Sequence, residues 1–158
     1  MIRRAISAIA VVMFVLLLTG CSTVQPAAKI NSVKSVESLV KDGVSYKYQD
    51  QDIIQIDLDF TFTDGAVSNL AKLDTSSDEY RKGLYALLAP GAHLFNEGQP
   101  VQRTYGYWPK QADRNSAKKL TLFYVVPRNR TTQSLRFVYD GAVLGEGGSG
   151  IDTTIQPS

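Results

Sequence analysis

The chain has 158 residues, a formal net charge of +2, one cysteine and one histidine. That length holds one ordinary domain with a real core. The single cysteine excludes an intrachain disulfide, and the single histidine excludes a histidine-built metal cluster.

Arg3 and Arg4 stand beside the initiating methionine, and Ala5 to Leu18 follow without a charge. Fourteen residues at about 1.5 Å each give a helix of roughly 21 Å, short of the roughly 30 Å hydrocarbon core, so the run reads as a signal peptide over residues 1–20. It ends in Leu18-Thr19-Gly20-Cys21, which resembles the lipobox of bacterial lipoproteins at all four positions. By that resemblance Cys21 is the lipidation site: it receives a thioether-linked diacylglycerol, the chain is cut before it, and the new amino group is often acylated. Acylation also removes a free reactive thiol. One acyl chain binds membranes only reversibly, so the two or three that this route supplies are needed for a stable anchor. Ser22, a non-aspartate, implies transfer to the outer membrane, facing the periplasm, in a Gram-negative cell.

Without residues 1–20 the chain keeps 138 residues, and with Arg3 and Arg4 gone 15 basic side chains face 15 acidic ones. A nucleic-acid partner, which requires a basic face, is therefore not expected. Residues 21–80 hold five basic and ten acidic side chains and residues 81–158 the reverse. Either these are solvated faces that pair when the halves pack, or Arg103, Lys110, Arg114, Lys118, Lys119, Arg128 and Arg130 form a surface for lipid headgroups or an acidic envelope polymer.

Residues 21–28, small and polar with one proline, predict an extended tether, and residues 29–158 the folded domain. Ile30 to Val40 and Val44 to Tyr48 are weaker strand candidates. From Asp52 to Thr63, Ile54, Ile56, Leu58, Phe60 and Phe62 alternate with polar residues, which predicts a strand with one buried and one wet face, ending at the Asp64-Gly65 turn pair. Asp50, Asp52, Asp57, Asp59 and Asp64 cluster near this strand; they are oxygen ligands of the kind calcium takes, but their spacing matches no EF-hand loop, and aspartates on a wet face also deter edge pairing.

Ser76-Ser77-Asp78-Glu79 has capping-box spacing, with Tyr80, Leu84 and Leu87 or Leu88 at helical intervals, so a short helix near residues 77–83 is expected, limited by Gly83 and Pro90. Leu84 to Leu88, Ala92 to Phe95 before the Asn96-Glu97-Gly98 turn, and Val101 to Tyr107 are further weak strand candidates. His93, in Pro90-Gly91-Ala92-His93-Leu94, lacks any nucleophile-elbow pattern and reads as a surface-loop histidine.

Thr104-Tyr105-Gly106-Tyr107-Trp108-Pro109 gathers three aromatics between Arg103 and Lys110. Aromatic faces stack on sugar rings and favour membrane interfaces, so Arg103, Tyr105, Tyr107, Trp108 and Lys110 are the candidate binding residues. In the alternative, the tyrosines cover a core edge and Trp108 plugs the end of the fold.

Leu120 to Val126 closes at Pro127 and Leu135 to Tyr139 at Asp140-Gly141, both bounded as strands should be. Asn129-Arg130-Thr131 is a sequon by pattern only. Gly145-Glu146-Gly147-Gly148-Ser149-Gly150 fits G-x-G-x-x-G, but no helix of useful length and no acidic ribose partner can follow, so a flexible loop is expected, then an edge strand or frayed end from Ile151.

Seven or eight short strands with turn signals between them predict an all-β, antiparallel, immunoglobulin-like sandwich. Ser116 to Pro127 ahead of Leu135-Arg136-Phe137-Val138-Tyr139, with Asn96-Glu97-Gly98-Gln99-Pro100-Val101 as an earlier hairpin, is similar to telokin-like immunoglobulin-fold domains of exported bacterial proteins. The resemblance implies that fold and no catalytic residues. The expected function is a lipid-anchored, non-enzymatic binding or assembly-support module of the cell envelope. Its partners are membrane lipid, through acylated Cys21, and an envelope protein; no cofactor is implied. The alternatives are an envelope glycan-binding lipoprotein and, least favoured, a small hydrolase using carboxylates or tyrosines.

Overall fold

The computed structural model describes residues 25–62, 72–109, 118–128 and 134–158. Cys21, Lys110, Arg114, Arg130, the Asp64-Gly65 turn and the sequon lie outside them. The described residues form ten strands: β1 (Ala27–Val36), β2 (Leu39–Lys41), β3 (Val44–Tyr46), β4 (Gln51–Thr61), β5 (Ala92–Asn96), β6 (Gln99–Val101), β7 (Arg103–Tyr107), β8 (Lys118–Pro127), β9 (Leu135–Tyr139) and β10 (Ile151–Ile155). One helix, α1 (Asp78–Leu88), lies between β4 and β5.

The alternation along β4 sets the architecture. Ile54, Ile56, Leu58 and Phe60 are buried on one face, and β4 pairs along its length with β1 and β8. Two four-stranded sheets result, ordered β1-β4-β8-β7 and β10-β9-β5-β6, with every pairing between these strands antiparallel. Lettering these eight strands A to G along the chain, with β6 as C′, gives A-B-E-D and G-F-C-C′, the strand order of an immunoglobulin-like sandwich. The β2-β3 hairpin is an addition between A and B. Its Asp42-Gly43 pair, both at positive φ, makes the two-residue turn that suits the strand twist.

The main core fills the space between the sheets. Ile56, Leu58, Leu120 and Leu122 meet Leu94, Leu135, Phe137 and Tyr139 there. Phe60 stands edge-on to Tyr139 at 5.3 Å and stacks on Trp108 at 5.9 Å. A second, smaller core lies on the outside of the first sheet, where Leu39 covers Ile53 and Phe123. The wet face expected of β4 therefore holds from Gln55 to Thr61, while the Ile53 end is roofed by the hairpin.

Several expectations change. Leu84 to Leu88 is helix, not strand: the Ser77 hydroxyl accepts from the Tyr80 N–H at 3.2 Å, and α1 runs through Gly83 to bury Tyr80, Leu84 and Leu88 on one face. Burying two leucines, each worth about 1.5–3 kcal/mol, outweighs the roughly 1 kcal/mol that a mid-helix glycine costs. Val101 to Tyr107 is not one strand, because the chain crosses at Gln102 from one sheet to the other. Ile30 to Val40 is likewise divided between β1 and β2. His93 lies exposed on β5 rather than in a loop.

The first strand starts at Ala27, so Ala27 and Ala28 pair with Thr61 and Phe60. Beside them the end of the glycine-rich segment, from Gly148 to Gly150, is packed against neighbouring backbone, while Gly145 to Gly147 stay exposed. The Ser149 N–H donates to Pro26 O at 2.9 Å, and a Cβ on Gly148 would come within 2.1 Å of Gly141 O. Only glycine allows the two backbones to approach so closely.

Candidate functional site

The aromatic group of residues 104–109 is divided by a β-bulge. Arg103 pairs with Tyr124 and Tyr105 with Phe123, so Thr104 is the extra residue and the alternation reverses there. Tyr105 and Tyr107 consequently face out, with Phe123, while Arg103 faces the opposite side with Tyr124. Trp108 points into the main core and is only 3% exposed; its indole N–H has no hydrogen-bond partner among the described residues. The structure thus brings Tyr105 and Tyr107 together and sends Arg103 and Trp108 elsewhere.

On the outer face, Tyr105 and Tyr107 both stack on Phe123, with centroids at 6.0 and 6.2 Å. The Lys41 ammonium of the hairpin sits 5.8 Å above the Tyr105 ring. Partial burial, then the nearby Asp42 carboxylate, hold the Tyr105 hydroxyl above the ordinary tyrosine range. Tyr107 is 41% exposed, among the most open large apolar side chains described, in the company of Val40, Val44 and Tyr46 of the hairpin.

The strand registers extend this face across four strands. Tyr107, Thr121, Asp57 and Ser32 form one row; Tyr105, Phe123, Gln55 and Lys34 form the next. Asp57 collects hydrogen bonds from Ser32 Oγ at 2.7 Å, Thr121 Oγ1 at 2.8 Å and Gln55 Nε2 at 3.0 Å. Asp57 and Asp59 share this face, as alternation requires, with Lys29 and Lys119 level with Asp59. Three side-chain donors on one carboxylate tie three strands together. Among the described residues no group of three or more His, Cys, Asp and Glu is placed to hold a metal.

A second feature lies at the seam where β6 passes into β7. Pro90, Ala92, His93, Leu94, Phe95, Pro100, Val101, Arg103 and Tyr124 line a cleft of about 220 Å³. Arg103 Nη1 donates to Ala89 O at 2.6 Å, and its guanidinium lies 5.5 Å over the Tyr85 ring. The Tyr124 hydroxyl donates to Ala92 O at 3.5 Å and is pushed up to about 12 by burial, the nearby arginine working against that rise.

Sequence reasoning missed the partners of Asp57, because Ser32, Gln55 and Thr121 come from three strands. It also missed the cleft, which joins residues from 90 to 124. Arg103 was legible as a candidate, but only beside the tyrosines. No protein-family model matches this chain, and neither a curated protein nor a solved structure does.

Proposed function

We propose that this chain is a lipid-anchored lipoprotein of the cell envelope that works by binding a partner or supporting an assembly, not by catalysis. One observation carries the reading. The first strand begins six residues after Cys21, the lipobox cysteine, and its start is clamped to Ser149. Six residues span at most about 20 Å, so lipid on Cys21 would hold the sandwich against the bilayer. The β1 strand then runs ten residues, roughly 30 Å, toward the hairpin end, which would face away from the membrane. In a Gram-negative cell this is the periplasmic face of the outer membrane.

Labelling with an alkynyl fatty acid tests it. The wild-type chain takes up label and partitions with membranes, whereas Cys21→Ser takes up none and accumulates as uncut precursor. Equal labelling of the two ends the lipoprotein reading.

A second reading, an envelope glycan-binding protein, is favoured by the exposed Tyr107 ring beside the polar row of Thr121, Asp57 and Ser32. Flat sheet faces with an open aromatic ring suit the apolar face of a pyranose, and neighbouring polar groups suit its hydroxyls. Trp108 has no part in this version, since it is enclosed in the core.

A further inference from the structure

Arg103 is a half-buried cation without a counter-charge. Its contacts are a backbone carbonyl and a tyrosine ring, both neutral, and among the described residues it pairs with no carboxylate. Three other arginines do have carboxylate partners: Arg81 has Asp78, Arg128 has Asp52 and Arg136 has Asp152. A guanidinium removed from bulk water and left unpaired is costly unless something compensates it. Arg103 is also held rigidly, with its plane fixed against Tyr85 and one nitrogen fixed on Ala89 O, so the cost of orienting it is met before any ligand arrives.

The second observation is the cleft that Arg103 lines. Pro90, Phe95, Pro100 and Val101 also line it, and none of its lining residues carries a carboxylate. The lining residues with polar side chains are Arg103, His93 and Tyr124. A hollow of mixed polar and apolar lining suits a ligand with one polar end and one apolar end, and about 220 Å³ is below the size that drug-like ligands occupy.

We propose that this cleft binds a small monocarboxylate with a compact apolar body. The carboxylate supplies the missing counter-charge to Arg103, whose planar fork matches it with two N–H donors. Pro90, Phe95, Pro100 and Val101 flank the body of the ligand, and His93 stands at the rim as a further donor. One fixed positive charge suits a monoanion better than a phosphate dianion. The site lies apart from the outer face that carries Tyr107. The inference rests on the reading of the domain as a binding module but not on its lipid anchor, so fatty-acid labelling of Cys21→Ser and the titration below fail separately.

The test titrates the purified full chain with butyrate, isovalerate and benzoate, each against its primary amide, and with inorganic phosphate. Binding is read by the side-chain N–H resonances of arginine and by thermal shift. The expected result is saturable binding of at least one carboxylate, tenfold or more tighter than its amide, with the Arg103 Nε–H resonance moving along the titration. Arg103→Gln should abolish the difference between acid and amide, and Arg103→Lys should restore part of it. The acid–amide comparison on the wild-type chain stands even if Arg103→Gln folds poorly. The proposal is overturned if no carboxylate binds, if acid and amide bind alike, if binding leaves the Arg103 resonance unmoved, or if phosphate alone binds.

Discussion

The two faces of the β1-β4-β8-β7 sheet are made by the same strands and yet differ in kind. Its inner face is a continuous apolar surface, with Ile54, Ile56, Leu58, Phe60, Leu120 and Leu122 closed off by the other sheet and by α1. The outer face is a patchwork: a small core under the hairpin, a row of hydrogen-bonded polar side chains centred on Asp57, and two tyrosines at the edge. Stability is concentrated on the inner face, where nearly every side chain lost leaves a cavity. The outer face can vary at lower cost, which is why exposed aromatic rings and open polar groups are found there. The contrast makes energetic predictions that decrease from the inner face to the outer.

The largest effect is expected at Phe60. It touches both Tyr139 and Trp108, so Phe60→Ala should lower stability by about 3–5 kcal/mol, and Trp108→Ala, which empties the facing half of that stack, by a similar amount. Thr61→Ala, next along the strand but exposed, should fall within about 0.5 kcal/mol of wild type. Urea unfolding of the purified protein measures all three. If Phe60→Ala and Thr61→Ala were equal in effect, the register of β4 would be wrong.

A smaller effect is expected from the inner-face hydroxyls at high pH. Burial raises the Tyr124 hydroxyl to about 12, against 10 for an ordinary tyrosine, and burial moves Tyr139 in the same direction. The raised groups favour the fold fully below pH 10, where both folded and unfolded tyrosines are neutral. Above pH 10 the unfolded chain loses protons that the fold retains, so stability falls by about 1.4 kcal/mol per pH unit per tyrosine. Between pH 10 and 12 Tyr124 alone should account for about 2–3 kcal/mol. Tyr124→Phe should flatten the decline in urea midpoint over that window by one proton. An unchanged slope would mean that Tyr124 ionises in the fold as it does in water.

How much of this was legible in the sequence differs between the faces for a physical reason. The inner face of β4 follows period-two alternation, β8 and β9 are β-rich runs closed by Pro127 and by Asp140-Gly141, and the helix start follows from the Ser77 cap. These are local signals. The outer face depends on events that alternation cannot encode. One extra residue at Thr104 turns Arg103 away from Tyr105, and a crossover at Gln102 moves the chain between sheets with no turn residue to mark it. The Trp108 side chain reads equally well as platform or plug until its neighbour Phe60, forty-eight residues earlier, is in place. The cleft at Arg103 is invisible for the same reason, because it exists only where β5, β6 and β8 meet.

The smallest energetic effect, and the one that bears most on function, is expected at Tyr107. Its ring is 41% exposed, rests on Phe123 and Tyr105 without enclosing either core, and lies level with Thr121 at the end of the polar row. An exposed aromatic pair of this kind contributes on the order of 0.5–1.5 kcal/mol, so Tyr107→Ala should shift the melting temperature by only a few degrees. If the outer face recognises envelope glycan, the wild-type protein should sediment with purified peptidoglycan, and Tyr107→Ala should lose most of that binding while folding normally. Tyr107→Phe should retain most of it, because stacking requires the ring rather than the hydroxyl. Trp108→Ala, made in parallel, should lose stability and is no guide to recognition, since that ring is enclosed. Wild-type protein that stays in the supernatant would remove the glycan reading and leave Tyr107 as an edge residue covering Phe123. Sedimentation unaffected by Tyr107→Ala would place recognition on another surface, away from the outer face of this sheet.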